Sequence, residues 1–112
     1  MKKKVTVGLV QMHSGDDVDA NIQKAIQGIH DAASKGAQII CLPELFNAPY
    51  FCQTRDDRFF NLAEPVPGKT TEILGEAARS SKVVVITSIY EKAEKYYNTA
   101  VVLGASGSLT GK

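Results

Sequence analysis

The sequence of 112 residues contains no tryptophan, only two cysteines and only two histidines. Two cysteines allow at most one disulfide, and they lack the paired spacing of a zinc-binding site. A domain stabilised by several disulfides and a zinc-dependent enzyme are therefore disfavoured. We expect reduced thiols and no metal ion. Cys41 lies inside an apolar run, which predicts the role of a small buried hydrophobic side chain.

An excess of charge of either sign is also absent. Thirteen basic and twelve acidic side chains are interspersed and leave a formal net charge of +1, so no extended basic surface for nucleic acid or an anionic membrane is expected. No stretch approaches the roughly 20 apolar residues needed to cross a bilayer. Gln11 and His13 interrupt the apolar run behind the N-terminal lysines, which is not the pattern of a secretory signal. We therefore expect a cytoplasmic protein without a nucleic-acid or membrane partner.

The first forty residues show the pattern of a βαβ unit. Residues 5–12 are rich in β-branched and apolar side chains, as in a strand buried on both faces. Apolar residues then recur at steps of three and four, which predicts an amphipathic helix: Val18, Ile22, Ile26, Ile29 and Ala33. Asp16 or Asp17 is the expected N-cap, Gly36 the expected stop, and residues 37–42 the second, parallel strand.

The remaining sequence predicts a second helix and further strands. Residues 45–69 form a long irregular stretch, whose aromatic side chains either pin it to the core or form the wall of a pocket. Thr70 or Thr71 is the expected N-cap of the helix that follows. Strands are predicted at residues 83–90 and 97–103, with a polar turn at residues 91–96 between them and a reversal at residues 104–107 that leads into a last strand at residues 108–112. The chain therefore belongs to the α/β class, in the order βαβαββ.

This element order describes only part of a domain. Two crossover units followed by two hairpins form an α/β sheet whose layer needs to be covered by further structure. The sequence contains no internal repeat, domain linker or low-complexity tract. We therefore expect residues 1–112 to be an incomplete N-terminal part of a single, larger domain.

Glu44 is the leading candidate functional residue. It follows the second predicted strand, and chemistry collects at the carboxyl ends of parallel strands in open α/β sheets. Pro43 disfavours a helical conformation at Leu42, so the chain leaves the strand extended and presents the carboxylate at the edge of the sheet. The spacing alone is explained equally well by a loop carboxylate that pairs with a lysine or caps a turn.

Other polar residues are weaker candidates for functional residues. Asn98 opens the fourth predicted strand, where it either satisfies local backbone groups or contributes to function. His30 belongs to the polar face of the first helix, and His13 follows the first strand without an obvious partner. Three acids of the irregular stretch can attract a cationic ligand, although a solvated loop explains them as well: Asp56, Asp57 and Glu64.

Four short motifs resemble those of the nitrilase, or carbon-nitrogen hydrolase, superfamily. They are Leu9-Val10-Gln11, Ile40-Cys41-Leu42-Pro43-Glu44-Leu45-Phe46, Tyr97-Asn98-Thr99-Ala100 and Gly107-Ser108-Leu109-Thr110-Gly111-Lys112. The resemblance implies a four-layer αββα sandwich, of which this chain is the N-terminal portion. It also implies a catalytic Glu, Lys and Cys without a metal or organic cofactor, with Glu44 as the general base.

The same resemblance places the other two catalytic residues outside this sequence. The family's lysine lies a few residues beyond a Gly-Lys pair like Gly111-Lys112, and its cysteine lies much further along the chain. Neither Lys112 nor Cys52 therefore takes these roles. We expect the 112-residue chain alone to be inactive.

Residues 49–53, written PYFCQ, are similar to the branch that hydrolyses N-carbamoyl amines, in particular the N-carbamoylputrescine amidases, with the β-ureidopropionases as close neighbours. This resemblance implies a small-molecule amide or N-carbamoyl amine substrate, such as N-carbamoylputrescine converted to putrescine, carbon dioxide and ammonia in polyamine biosynthesis. Phe46, Tyr50 and Asn98 are the expected substrate-binding residues, and the full-length protein is expected to be a homo-oligomer. The alternative is a catalytically inactive α/β module that binds a small molecule or associates with a full-length homologue.

Overall fold

The computed structural model describes residues 3–51 and 56–112. In these residues the elements follow in the order β1 (Val7–Leu9), α1 (Val18–Ser34), β2 (Ile39–Cys41), a 3₁₀ helix (Asp57–Leu62), α2 (Lys69–Ser81), β3 (Val84–Lys92), β4 (Tyr96–Leu103) and β5 (Leu109–Gly111). The predicted βαβαββ order is confirmed, and so is the last strand after the reversal, which as β5 is shorter than predicted. Cys52 and Gln53, which belong to the predicted substrate-branch motif, lie outside the described residues.

The strands form one sheet in which their spatial order follows the chain. β1, β2 and β3 run parallel, with Leu9, Cys41 and Ile86 in register. β3 and β4 pair antiparallel along most of their length, and β5 pairs antiparallel with β4. Each parallel connection contains one α-helix, because parallel neighbours require a crossover. The predicted parallel pairing of the first two strands is confirmed.

Both helices cover the same face of the sheet. They pack on each other and on the strands, and one core cluster joins Ile22 and Leu74 of the helices to Ile40 of β2. Side chains alternate along a strand, so their neighbours lie on the opposite face, which we call the open face. There Val7 and Leu9 are 58% and 79% exposed. The predicted burial of the first strand on both faces is therefore wrong, because the open face is uncovered.

The limits of α1 follow the predicted signals. Of the two predicted N-caps, Asp17 is the one used, and its Oδ1 accepts a hydrogen bond from the Ala20 N–H at 3.1 Å. Gly36 has φ +97°, a conformation that favours glycine, and the chain turns there towards β2. Neither α1 nor α2, the α-helices of the described residues, is long and apolar enough to cross a membrane.

The predicted N-cap of α2, Thr70 or Thr71, is wrong. The helix begins at Lys69 with Gly68 as its N-cap. Thr71 lies inside the first turn, where its Oγ1 accepts a hydrogen bond from the Gly68 N–H at 2.8 Å. Thr70 also lies inside the first turn, where its N–H and its hydroxyl donate to the Glu64 carboxylate at 2.8 and 2.7 Å. A carboxylate at this position also interacts favourably with the positive end of the helix dipole.

Glu64 also attaches the connection between β2 and α2 to the sheet. Its N–H donates to Tyr90 O at 3.0 Å, and its carbonyl accepts from the Lys92 N–H at 2.8 Å. These two backbone bonds join Glu64 to the end of β3, next to Glu91. Glu64 therefore contacts the start of α2 through its side chain and fixes the end of the connection to β3 through its backbone.

β3 is longer than predicted, because Glu91 belongs to the strand and not to a polar turn. Glu91 lies opposite Tyr97 in the β3–β4 ladder and is 5% exposed. Its carboxylate accepts hydrogen bonds from Lys112 Nζ and, at 2.7 Å, from Thr99 Oγ1. Both bonds lower the pKa of Glu91, and the bond from Lys112 has the larger effect. The turn itself is confined to residues 93–95.

β1 and β2 are shorter than the predicted strands at residues 5–12 and 37–42. Sheet hydrogen bonds nevertheless continue one residue past each strand, from the Val10 N–H to Cys41 O and from the Leu42 N–H to Ile86 O, both at 3.0 Å. Cys41, predicted to be a buried thiol, is only partly buried because it lies on the open face.

Candidate active site

Glu44 lies just beyond the carboxyl end of β2, where the chain leaves the sheet. The bond from Leu42 to β3 keeps the chain in the strand direction up to Pro43. A turn at residues 44–47 follows, in which the Glu44 side chain is exposed while those of Leu45 and Phe46 are buried. The strand end therefore presents the carboxylate at the sheet edge, as the Leu-Pro-Glu sequence predicts.

Asn98 of β4 holds the Glu44 carboxylate. Asn98 Nδ2 donates a hydrogen bond to Glu44 Oε1 at 2.6 Å, across 54 positions of sequence. Asn98 lies opposite Tyr90 in the β3–β4 ladder, and this register brings the two candidate residues together. The alternative prediction, a pairing of Glu44 with a lysine, does not occur among the described residues, whose ion pairs all involve other carboxylates.

Two shallow concavities meet at Glu44. The first, which we call the strand concavity, has a volume of about 380 Å³ and is lined mainly by strand residues: Cys41, Ser88, Asn98 and Ala100. The second, the loop concavity, has a volume of about 350 Å³ and is lined by residues of two connections: Met12, His13, Pro49 and Tyr50. A small linear molecule in either concavity would meet the same carboxylate.

The three predicted substrate-binding residues take different positions. Asn98 contacts Glu44 directly, and Tyr50, which is 52% exposed, lines the loop concavity. Phe46 is fully buried and belongs to the core cluster. Its side chain supports the turn after Glu44 from the interior and lines neither concavity. The structure therefore brings Glu44, Asn98 and Tyr50 together and places Phe46 behind them.

Two of the three acids in the connection between β2 and α2 have partners within the protein. Glu64 accepts two hydrogen bonds from Thr70 in the first turn of α2. Asp56 accepts hydrogen bonds from the Arg58 side chain and backbone, which lower the pKa of Asp56 to about 2. Asp57 lies in the first turn of the 3₁₀ helix and is exposed. In the described part of the chain, no three His, Cys, Asp or Glu side chains are grouped so that they could hold a metal ion.

The aromatic side chains of this connection form a continuous row with two tyrosines of the sheet. Successive ring centroids are 5.2, 4.8, 5.8 and 4.6 Å apart along the row, which we call the aromatic row: Phe59, Phe51, Tyr90, Tyr96 and Phe60. Directly opposed residues of a ladder share a face, so Tyr90 places the middle of the row beside Asn98. The row packs the connection onto the sheet, one of the two roles predicted for these aromatics.

Three polar residues that were not among the predicted site residues contact the turn after Glu44: Ser14, Asn21 and Ser88. Asn21 directly precedes Ile22 of the apolar stripe of α1, and Ser88 interrupts the apolar sequence of β3. A polar residue inside an apolar pattern is costly to bury without a partner, and this is the signal that identifies both positions. Ser14 has no comparable signal.

The chain matches the carbon-nitrogen hydrolase family over residues 6–112. It is 37% identical over 109 residues to an N-carbamoylputrescine amidase of Solanum lycopersicum, 38% over 111 residues to omega-amidase NIT2-B of Xenopus laevis, and 33% over 120 residues to a β-ureidopropionase of Arabidopsis thaliana. These alignments cover 96%, 97% and 96% of this chain but 36%, 39% and 29% of the three relatives. The chain thus spans well under half the length of each.

The fold agrees with this result. The crystal structure of a carbon-nitrogen hydrolase from Helicobacter pylori G27 matches 96% of this chain and 38% of its own length, with a TM-score of 0.88 and 28% sequence identity. The predicted α/β class is thereby confirmed, and a sheet with helices on one face is consistent with part of the predicted αββα sandwich. The family match over residues 6–112 and this structural similarity show that the chain belongs to the carbon-nitrogen hydrolase family, within the nitrilase superfamily.

Proposed function

We propose that Glu44 is the general base of an amidohydrolase that cleaves a non-peptide carbon–nitrogen bond in a small N-carbamoyl amine. The position of Glu44 carries the proposal. It is an exposed carboxylate at the end of a parallel strand, held by Asn98 at 2.6 Å and bordering two concavities. The chain spans 36% of the Solanum lycopersicum relative, and we propose the activity for a complete protein of which residues 1–112 would be the N-terminal part.

In the proposed reaction, Glu44 takes the proton of a cysteine thiol supplied by the remainder of the domain. The thiolate attacks the ureido carbon, and a lysine ammonium stabilises the negative charge that moves onto the carbonyl oxygen. Glu44 returns the proton to the leaving nitrogen, ammonia departs, and a thiocarbamate remains on the enzyme. Water that loses a proton to Glu44 then displaces the thiol, and the resulting carbamate releases carbon dioxide and the amine.

Asn98 gives the carboxylate one fixed orientation. Its amide donates to Oε1 and leaves Oε2 available to accept the proton. The donor is neutral, so it orients Glu44 without placing a positive charge beside it. This arrangement suits a group that must take up and return a proton in each catalytic cycle.

For the substrate we propose an N-carbamoyl amine with a cationic tail, such as N-carbamoylputrescine. The proposal is supported by the 37% identity to an enzyme named for that compound and by the position of Tyr50 in the loop concavity. Asp56 and Glu64 are engaged within the protein, whereas the aromatic row and Asp57 offer groups that attract a cation. Polyamine biosynthesis, a cytoplasmic location and homo-oligomeric assembly stay predictions.

Glu44→Gln in the complete protein tests the role of the carboxylate. Glutamine keeps the size of the side chain and an oxygen for the Asn98 bond, but it cannot take up the proton. Ammonia release should fall by about 10²–10⁴-fold, the usual contribution of a general base. Glu94→Gln, the same change in the exposed turn at residues 93–95, is the matched control and should leave the rate unchanged. Full activity of Glu44→Gln would refute the proposed function.

A comparison of three substrates tests the proposed specificity. Ammonia release is measured from N-carbamoylputrescine, from N-carbamoyl-β-alanine and from a linear ω-amide, because relatives with names for all three classes match this chain. Faster turnover of N-carbamoylputrescine is expected. Equal turnover of all three, or none of the first, would contradict the substrate proposal.

The second candidate function is a catalytically inactive module that binds a small molecule or associates with a full-length homologue. Its support is the pair of concavities, of about 380 and 350 Å³, that the described residues form by themselves. The purified 112-residue chain should release no ammonia from any of the three substrates. A coding sequence that continues past Lys112 into a Tyr-Arg-Lys-like segment and a later cysteine would favour the enzyme, and a stop codon directly after Lys112 would favour the module.

A further inference from the structure

The turn that follows Glu44 has a backbone conformation that its sequence does not favour. Leu45 has φ +49°, in the left-handed region that residues other than glycine seldom adopt. Its side chain is 2% exposed, so the chain passes from an exposed carboxylate into the core within one residue. Such a conformation persists only where the surrounding structure imposes it.

Three polar side chains from separate parts of the chain hold this turn, one at each of three successive residues. Ser88 Oγ, on β3, accepts a hydrogen bond from the Leu45 N–H at 2.9 Å. Ser14 Oγ, in the connection between β1 and α1, donates to the carbonyl of the next residue. Asn21 Nδ2, on α1, donates to Asn47 O at 3.0 Å.

Asn21 joins two of these contacts into one network. It is 1% exposed, its Nδ2 also donates to Gly15 O at 2.8 Å, and its Oδ1 accepts from the Gly15 N–H at 2.9 Å. The loop that carries Ser14 is thereby fixed both to α1 and to the turn. The bond from Asn21 to Asn47 O is buried and the others are part-buried, so its loss in particular leaves a polar partner unsatisfied.

We propose that Ser14, Asn21 and Ser88 are positioning residues that set the direction in which Glu44 presents its carboxylate. The inference rests on the proposed function, since it takes Glu44 as the group that transfers the proton. Each of the three side chains bonds to the backbone of residues 45–47 and acts on the reaction through Glu44. Rotation of the turn would carry the carboxylate away from Asn98, and a displacement of about 1 Å at a reacting group costs on the order of 10²-fold in rate.

Ser88 provides the first test, made in the complete protein. Ser88→Ala removes the acceptor of the Leu45 N–H and should lower kcat by about tenfold or more, with little change in KM. Ser88→Thr keeps the hydroxyl group and should restore kcat. Ser80→Ala is the matched control, because Ser80 Oγ donates to Ala77 O within α2, away from the turn.

Asn21 provides the second test, because Ser88 also lines the strand concavity and Asn21 lines neither concavity. Asn21→Asp keeps the acceptor of the Gly15 N–H but replaces the donor to Asn47 O by an oxygen. Its kcat should fall while its KM is little changed. Circular dichroism checks that the variant folds. If it does not, Ser14→Ala replaces it; because Ser14 lines the loop concavity, the unchanged KM is there the result that separates positioning from substrate binding, and Ser14→Thr, which keeps the hydroxyl group, should restore kcat.

The outcomes separate this inference from the proposed function. If Glu44→Gln is inactive while Ser88→Ala, Asn21→Asp and Ser14→Ala turn over like Ser80→Ala, the positioning inference alone is overturned. A rise in KM at unchanged kcat would overturn it as well, because the side chains would then bind substrate. Full activity of Glu44→Gln would refute the proposed function and the positioning role together.

Discussion

Two adjacent residues of β4 each bond a glutamate, on opposite faces of the sheet. On the open face, Asn98 donates to Glu44, which is exposed. On the face covered by the helices, Thr99 donates to Glu91, which is 5% exposed and also paired with Lys112. The buried carboxylate thus has a cation and a hydroxyl that keep it ionised, whereas the exposed one has a neutral amide and borders two concavities. The two carboxylates therefore differ in burial and in the charge of their partners, as we expect of one that stabilises the fold and one that faces a ligand.

The largest effect is expected on kcat, when a substitution on the open face is compared with one on the helix-covered face. In the complete protein, Asn98→Ala frees the Glu44 carboxylate to rotate and should lower kcat on the order of 10²-fold. Thr99→Val keeps the shape of the side chain and should leave kcat close to that of the wild type, while it lowers stability by removing a donor to Glu91. Ammonia release and urea unfolding of both variants check this. If Asn98→Ala and Thr99→Val lowered kcat equally, catalysis would not be specific to the open face.

A smaller effect, on the free energy of unfolding, is expected when an apolar side chain of the open face is replaced by a polar one. Leu9 is 79% exposed in this chain, so Leu9→Ser should change the free energy of unfolding of the 112-residue chain by less than about 0.5 kcal/mol. In a complete αββα sandwich the second sheet covers this face, and the same change should cost about 1.5–3 kcal/mol. Urea unfolding of the short and complete forms tests the comparison. The same small effect in both would contradict a covered open face.

The smallest effect is the pH dependence that Glu91 gives to stability. The bonds from Lys112 and Thr99 lower the folded-state pKa of Glu91 below the ordinary value of 4.5. Ionised Glu91 therefore stabilises the fold above about pH 4.5, and this contribution is lost as the pH falls through the lowered folded-state pKa. Glu91→Gln should lower the unfolding midpoint in urea near neutral pH, and the difference from the wild type should narrow below about pH 4.5.

Glu76→Gln is the matched control for this pH series. The ion pair of Glu76 with Arg79 is exposed, and surface pairs contribute little to stability, so this variant should unfold like the wild type throughout. If the difference between Glu91→Gln and the wild type were constant from about pH 3 to about pH 7, ionisation of Glu91 would not contribute to stability in the way proposed.

The features that follow from local patterns could be predicted from the sequence. The apolar stripe of α1 and the cap at Asp17 are set by residues within one or two helical turns of each other. The parallel pairing of β1 and β2 follows from the helix between them, and the exposed position of Glu44 follows from the proline that ends the strand. In each case the determining residues are close in sequence, so spacing contains the information.

The features that depend on residues distant in the sequence could not be predicted from it. Glu64 pairs with Thr70 inside the first turn of α2, whose N-cap is Gly68 and neither predicted threonine, and Lys112 pairs with Glu91, which is buried in a strand where a polar turn was predicted. The bond between Glu44 and Asn98 depends on the register of β3 and β4, which the spacing of the two residues does not reveal. Ser14, Asn21 and Ser88 meet only because three elements converge on the turn after Glu44.

The attachment of Glu64 to β3 makes the segment between Glu44 and Glu64 a closed loop. One end is joined to β3 at Ile86, through Leu42, and the other at Tyr90, through Glu64 itself. Because the closure entropy of a loop grows slowly with its length, residues can be inserted or lost between these attachments without displacing Glu44 or α2. The segment around Tyr50 is therefore the part of this connection whose length and composition can differ between relatives while the Glu44 carboxylate stays in place.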